Sequence, residues 1–303
     1  MKIVFFGTDE FAAIVLERLI AEHAGVCAIV STPDKPAGRN KTLRMSAVTV
    51  SAKKYGLPIL QPETFDEHVR EAIRTYNADV GLLTVYGKIL PQTVLELFPK
   101  GIVNIHPSLL PLYRGVSPIK TALLNGDRET GITIIVLDDK MDHGPILAQS
   151  KTDILPDEKL PNLRNRLALM GATVVRDMLP KYVAGNMLPV PQDHARATYT
   201  KLLTKEDGRI QWSKSRQEIY NQFRALYDWP GTWTEWRGKR IKILEIKPAD
   251  VTPQNTEVND IFFVLDKHLY AICGNAESFQ ITQLQVEGKN AVTGTAFIHG
   301  YLS

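Results

Sequence analysis

The chain opens on a short apolar run at residues 3–6, broken by Gly7, Thr8 and Asp9, after which Phe11, Val15, Leu16 and Leu19 recur at helical spacing. That pattern is a strand, a turn and an amphipathic helix, with Asp9 placed to cap the helix N-terminus. The alternation continues with strands at 26–30, 58–60, 79–85 and 102–105 and helices at 46–55, 66–76 and 91–98. Pro91 suits a first helical turn. Residues 31–40, with two prolines and a glycine, read as a long polar loop. Alternation sustained over about 100 residues predicts a doubly wound α/β domain whose mostly parallel sheet is covered on both faces.

Further along, 118–124 reads as a helix, 131–137 as a strand rich in Ile and Val, and 160–183 as a longer helix. Residues 185–197 carry two prolines and few apolar side chains, the texture of a linker. Beyond them, short apolar runs at 240–246, 261–265, 270–273 and 279–284, with one helix at 215–226, predict a small OB-like β-barrel. The expected organisation is an α/β domain at 1–184, a linker at 185–204 and a C-terminal barrel at 205–303.

With 303 residues, 44% hydrophobic and 23% charged, the chain has the composition of a globular protein with a real core. A formal charge of +3 means that a polyanion partner must be met by a local basic patch. Cys27 and Cys273 are far apart and outside any CxxC pattern, which argues against disulfides or a cysteine metal site. Two small buried apolar side chains account for them. Met1 and Lys2 run straight into the first strand, and no apolar run approaches the roughly 20 residues of a membrane span. A cytoplasmic protein is expected.

The richest stretch is 101–115, GIVNIHPSLLPLYRG. Strand side chains two apart project together, so Asn104 and His106 share a face where the chain leaves a buried strand. Pro107 and Pro111 stiffen the loop that follows, over the strand ends where open α/β sheets hold ligands. Arg114 lies in that loop, and a second strand end presents Asp138, Asp139 and Asp142 before Gly144. A histidine after a strand is commonly structural, but an amide, an imidazole and a carboxylate together suit acyl transfer. No activated Ser or Cys accompanies them, which favours direct transfer between two substrates. Dinucleotide binding is disfavoured because GTDEFA lacks the GxGxxG spacing. Metal chemistry is disfavoured because His106, Asp142 and His143 lack the known hydrolytic spacings.

The stretches FFGTDEFA (5–12), TPDKPAGRNKTL (32–43), YGKILP (86–91), NIHPSLLPLYRG (104–115), TGIT (130–133) and DDKMDHGPIL (138–147) resemble the methionyl-tRNA formyltransferase family, a branch of the folate-dependent formyltransferases. The resemblance runs through KLLTKEDGRIQW (201–212) and NQFRALYDWPGTW (221–233) to essentially the full chain. It implies formyl transfer from 10-formyltetrahydrofolate to the α-amine of methionine on initiator tRNA. From the residues themselves no metal is expected, and with no apolar stripe that demands a partner a monomer is expected. By position, Asn104 donates to the developing oxyanion. His106 supports that charge or protonates the leaving N10, while Asp142 orients His106 and accepts the amine proton. The resemblance places folate against Tyr86, Gly87, Ile89 and Leu90, against Ser108, Leu109, Leu110 and Pro111, and beside Asp138. It assigns the 33–43 loop to the tRNA acceptor end through Arg39, with Lys35, Lys41 and Arg44 adding charge.

Arg237, Lys239, Arg240, Lys242 and Lys247, against Glu245 alone, form a second basic source suited to phosphates. A charged strand face is its bland counterpart. Leu112, Val116, Ser117, Lys140, His143 and Pro145 depart from the family's usual residues and bear on substrate geometry. An amino-sugar N-formyltransferase, a formyltetrahydrofolate hydrolase and a non-catalytic tRNA-binding protein are the alternatives.

Overall fold

The computed structural model describes residues 1–37, 42–251 and 261–302, which form two compact units. The first comprises residues 1–118, 129–153 and 163–200. Its strands are β1 (Ile3–Gly7), β2 (Val26–Val30), β3 (Lys35–Ala37), β4 (Thr42–Arg44), β5 (Ile59–Leu60), β6 (Val80–Thr84), β7 (Ile102–His106), β8 (Glu129–Val136) and β9 (Ile146–Asp153). Seven of them make one sheet in the order β5-β2-β1-β6-β7-β8-β9, parallel through β7 and antiparallel from β7 onward. Every residue of β1 and β7 is buried, as expected for strands covered on both faces.

Helix α1 (Glu10–Ala21) buries Phe11, Val15, Leu16 and Leu19, the residues whose spacing predicts it, and Asp9 accepts from the Ala12 N–H at 3.0 Å. Helices α2 (Ala47–Lys54) and α3 (Glu67–Arg74) start on Ser46 and Asp66 in the same way. Helix α4 (Gln92–Leu95) is shorter than the sequence suggests, and Pro91 is its N-cap in extended backbone rather than its first turn. Helix α5 (Pro118–Asn125) packs almost wholly with the second unit. Helix α6 (Leu160–Val183) has the bounds read from the sequence. At Gly171 a Cβ would come within 2.8 Å of Ile105, so the missing side chain lets this helix close on β7.

Two elements correct the sequence reading. The 31–40 loop contains β3, which pairs with β4 as an antiparallel hairpin and sets Lys35 opposite Arg44. Strand β9 was not foreseen because it is an edge strand in which Leu147 alone is fully buried and Gln149 to Asp153 is a polar run.

The second unit comprises residues 119–128, 154–162 and 201–303. Helix α7 (Arg216–Ala225) begins on a capping box of Ser215 and Glu218. Strands β10 (Thr232–Trp236), β11 (Lys239–Ala249), β12 (Phe262–Leu265), β13 (His268–Ile272), β14 (Ser278–Val286) and β15 (Ala291–Thr293) pair antiparallel in the order β10-β11-β14-β13-β12, with β15 on β14. Helix α8 (Gly294–Phe297) closes the unit. Its core joins Ile219 and Phe223 of α7 to Trp236, Ile241, Phe262, Phe279 and Phe297. Buried Arg224 donates to the carbonyls of Leu155 and Glu158, tying 154–162 into this core. No helix among the described residues is long and apolar enough to cross a membrane.

Candidate active site

Strands β6 and β7 run parallel, with Leu83 opposite Asn104, so their C-terminal ends reach the same sheet edge. Asn104 and His106 are 6% and 4% exposed there. The turn after β8 brings Asp142 to them. Gly144 makes that turn possible, because a Cβ at this position would lie 1.8 Å from the Val136 carbonyl oxygen.

Asp142 Oδ2 accepts from the Gly115 N–H at 2.7 Å. Its Oδ1 lies 3.5 Å from both Asn104 Nδ2 and His106 Nδ1. His106 Nε2 is 3.0 Å from the Tyr113 carbonyl oxygen. A carbonyl only accepts, so Nε2 carries the proton and Nδ1 faces the carboxylate. The imidazole is thus oriented chiefly by Tyr113, a contact that sequence reasoning missed because a backbone carbonyl leaves no trace in residue type.

The 108–111 segment is held from inside the sheet. The Thr133 hydroxyl donates to the Ser108 carbonyl at 2.6 Å and accepts from the Leu110 N–H at 3.0 Å, while Gln149 Nε2 donates to the Leu110 carbonyl at 2.6 Å. The Ser108 hydroxyl donates to the Leu112 carbonyl at 2.6 Å. Side chains of Ser108 and Leu110 are buried, so the free face of this segment is backbone with Leu109 and Pro111.

The 86–90 loop divides similarly. Tyr86 is 1% exposed, packs edge-on against Phe6, and its hydroxyl has no partner among the described residues. Burial pushes its phenol pKa up to about 12. Its carbonyl accepts from the Thr8 hydroxyl at 2.7 Å, and Ile89 is 87% exposed. Asp138 is tied to His143 Nδ1 at 2.6 Å and to the Lys140 N–H at 3.0 Å.

Arg114 is 2% exposed and donates to Gln192 Oε1 at 2.7 Å, His194 Nδ1 at 2.9 Å and the Tyr199 hydroxyl at 3.3 Å. His194 stacks on His143 with centroids 3.9 Å apart. Burial first, then the neighbouring His143 and the Arg114 cation, hold its pKa below the ordinary value. Gln192 and His194, within the 185–204 segment read from sequence as linker, therefore stand beside the turn that carries Asp142 and His143. The site, as built, offers one carboxylate oxygen, one amide and one imidazole to a common point. Among the described residues, no three His, Cys, Asp or Glu side chains gather as metal donors.

Of the residues assigned to nucleic acid, Lys35 and Arg44 are exposed and paired across the β3–β4 hairpin. Arg39 and Lys41 lie outside the described residues. In the second unit Lys239 and Arg237 are exposed, the Arg237 guanidinium sits 4.4 Å over the Trp236 ring, and that of Arg240 sits 3.9 Å over Trp233.

This fold, with a polar corner at the exit of β7, defines a formyltransferase. Residues 1–179 match the formyl transferase family model, and residues 202–302 match the model of the formyl transferase C-terminal domain. The chain belongs to the methionyl-tRNA formyltransferase family. It is 40% identical over 99% of its length to the methionyl-tRNA formyltransferase of Chloroflexus aurantiacus, covering 97% of that protein. It is 36% identical over 99% of its length to that of Halalkalibacterium halodurans, covering 95% of that protein. Among solved structures, an N-formyltransferase from Helicobacter canadensis in complex with folinic acid and dTDP-3-aminofucose shares the fold. The TM-score is 0.68 at 18% identity, covering 93% of this chain and 98% of that one. A methionyl-tRNA formyltransferase from Clostridium thermocellum gives a TM-score of 0.57 at 18% identity, covering 82% of this chain and 93% of that one.

Proposed function

We propose that the chain formylates the α-amine of methionine on initiator tRNA for translation initiation, using Asn104, His106 and Asp142. The observation that carries this is the convergence of the Asn104 amide and the His106 imidazole on Asp142 Oδ1, at 3.5 Å each. The formyl group arrives on 10-formyltetrahydrofolate, which supplies a carbonyl already bonded to a nitrogen leaving group. The loop at 86–90 offers its backbone and the exposed Ile89 to a flat heterocycle with a polar edge, and 108–111 offers backbone with Leu109 and Pro111. Ser108, Leu110 and Tyr86 shape the slot from behind, since their side chains are buried and their carbonyls are held by Thr133, Gln149 and Thr8. Asp138 holds His143 at the edge of the same slot.

In this reading the acceptor amine attacks the formyl carbon. Asn104 donates to the oxygen as it becomes an oxyanion, a contact whose loss costs about 2.7–4 kcal/mol of barrier in comparable sites. Asp142 Oδ1 accepts the proton released by the amine, directly or through water. His106, its Nε2–H anchored on Tyr113, takes that proton at Nδ1 from the Asp142 carboxylate it faces and passes it to the departing N10 as the C–N bond breaks. Lys35, Arg39, Lys41 and Arg44 of the hairpin segment, with Arg237, Lys239 and Arg240, meet the tRNA backbone. Functionally, 1–184 performs the chemistry, 185–204 links and supports it, and 205–303 holds tRNA. The reading places the protein in the cytoplasm as a monomer, supported by a sequence with no apolar stripe that demands a partner.

Transfer of labelled formyl from 10-formyltetrahydrofolate, offered methionyl-tRNA, an amino-sugar nucleotide or water alone, tests the substrate. Label on methionyl-tRNA is expected. Preferential transfer to the sugar or to water overturns the reading in favour of an amino-sugar enzyme or a hydrolase, and no transfer favours a non-catalytic tRNA-binding protein. Asn104→Ala, His106→Ala and Asp142→Ala are each expected to cut the rate by at least about 10²-fold while folding normally. Full activity in any one removes that residue's role.

A further inference from the structure

We propose that Gln192 is a positioning residue for Asp142, itself oriented by the buried guanidinium of Arg114. The inference rests on the catalytic role proposed for Asp142 and concerns how that carboxylate is aimed. Gln192 is 6% exposed, and its single Nε2 donates to the carbonyl oxygens of both Asp142, at 2.8 Å, and Gly144, at 2.7 Å. Both amide hydrogens are thereby used on the two carbonyls that flank His143. Its Oε1 accepts from Arg114 at 2.7 Å. Guanidinium is donor-only and carbonyls are acceptor-only, so a flipped amide would set oxygen against two carbonyls and nitrogen against a donor. Arg114 therefore fixes which way the amide points.

Asp142 needs such a clamp because its φ is +49°, a backbone region that non-glycine residues hold only when their surroundings impose it. Gln192 holds its carbonyl, while the Gly115 N–H holds carboxylate Oδ2 at 2.7 Å. Arg114 and Gly115 are consecutive, so one stretch of chain pins Asp142 at both ends, directly at the carboxylate and through Gln192 at the backbone. That leaves Oδ1 facing Asn104 and His106, at 3.5 Å from each. The 113–114 loop is braced in turn by Thr198, through Tyr113 N–H to its side-chain hydroxyl at 2.8 Å and Arg114 N–H to its carbonyl at 2.9 Å.

Steady-state kinetics of Gln192→Ala and Gln192→Glu, with thermal unfolding of each, test the assignment, and Asp142→Asn is run alongside. Glutamate keeps an acceptor for Arg114 and strengthens that contact, but presents a carboxylate oxygen to two carbonyls in place of two donors. Gln192→Ala is expected to lower kcat by about 10²-fold with KM for both substrates unchanged, the effect of a misaimed reacting group. Gln192→Glu is expected to keep kcat as low as in Gln192→Ala, because its carboxylate oxygen repels the Asp142 and Gly144 carbonyls that the amide held. Recovery of kcat together with stability in Gln192→Glu, or a wild-type kcat in Gln192→Ala, overturns the proposal and leaves Gln192 a purely structural contact. If Asp142→Asn is itself fully active, the underlying role of Asp142 fails. An inactive Asp142→Asn beside wild-type Gln192 variants sinks the positioning role alone.

Discussion

Tyr86 shows how differently a residue's backbone and side chain can be employed. Its carbonyl holds Thr8 at the strand ends, whereas its ring fills the core beside Phe6 and Phe65 and its hydroxyl goes unpaired among the described residues. A desolvated, unpartnered hydroxyl is destabilising, so Tyr86→Phe should raise unfolding stability by about 1 kcal/mol and leave folate KM unchanged. Loss of stability in denaturant titration would show that the hydroxyl finds a partner. The pH dependence has a definite sign. The folded phenol ionises near 12 and the unfolded one near its ordinary 10, so the unfolded chain sheds its proton first and stability falls as pH rises between those values. The phenylalanine variant loses that part of the alkaline decline.

At the scale of elements, the start of α1 separates a hydrogen bond from a charge. Asp9 caps the helix through the Ala12 N–H, but burial raises its pKa above 3.8, partly offset by that bond and by the charge of Arg164. A raised carboxyl pKa means that the folded state binds its proton more tightly, so this group's contribution weakens as pH rises through the folded value. Asp9→Ala should cost about 1 kcal/mol of stability at neutral pH, whereas Asp9→Asn keeps the acceptor, sheds the buried charge and should be at least as stable as the wild type. Chemical denaturation of both variants at neutral pH decides it; an Asn variant as weak as Ala would show that the charge itself holds the helix.

Elements with strong local signals were legible in the chain. Caps at Asp9, Ser46, Asp66 and Ser215 and the apolar period of α1 and α6 mark their helices directly. Strands β3, β4 and β9 lacked such marks. They are short or edge strands whose pairing, rather than composition, defines them.

At the scale of the whole molecule, the near-neutral total charge conceals separate basic surfaces on the two units. Lys239 on β11 and Arg44 on β4 are exposed and suited to phosphate. Lys239→Ala and Arg44→Ala should each weaken tRNA binding without altering folate KM. Each should also reduce the slope of log affinity against log salt by about 1, the release of one phosphate contact's counterion. An unchanged slope in binding measured across a salt series would remove that residue from the interface.

By itself the sequence determined the alternating architecture, the change of texture after the long helix, and the shared face of Asn104 and His106, because periodicity and strand alternation are local properties. It also determined that the chemistry centres on the 104–115 stretch, where amide, imidazole and prolines cluster in residue type, with the carboxylates gathered at a second strand end. Only the tertiary structure decided how these groups are aimed. Tyr113 and Gly115 act on His106 and Asp142 through backbone atoms, and Gln192 reaches Asp142 across 50 residues of chain. Contacts made by main-chain groups or between distant segments depend on how the sheet, its turns and the 185–200 segment close together, and no spacing along the chain records that closure.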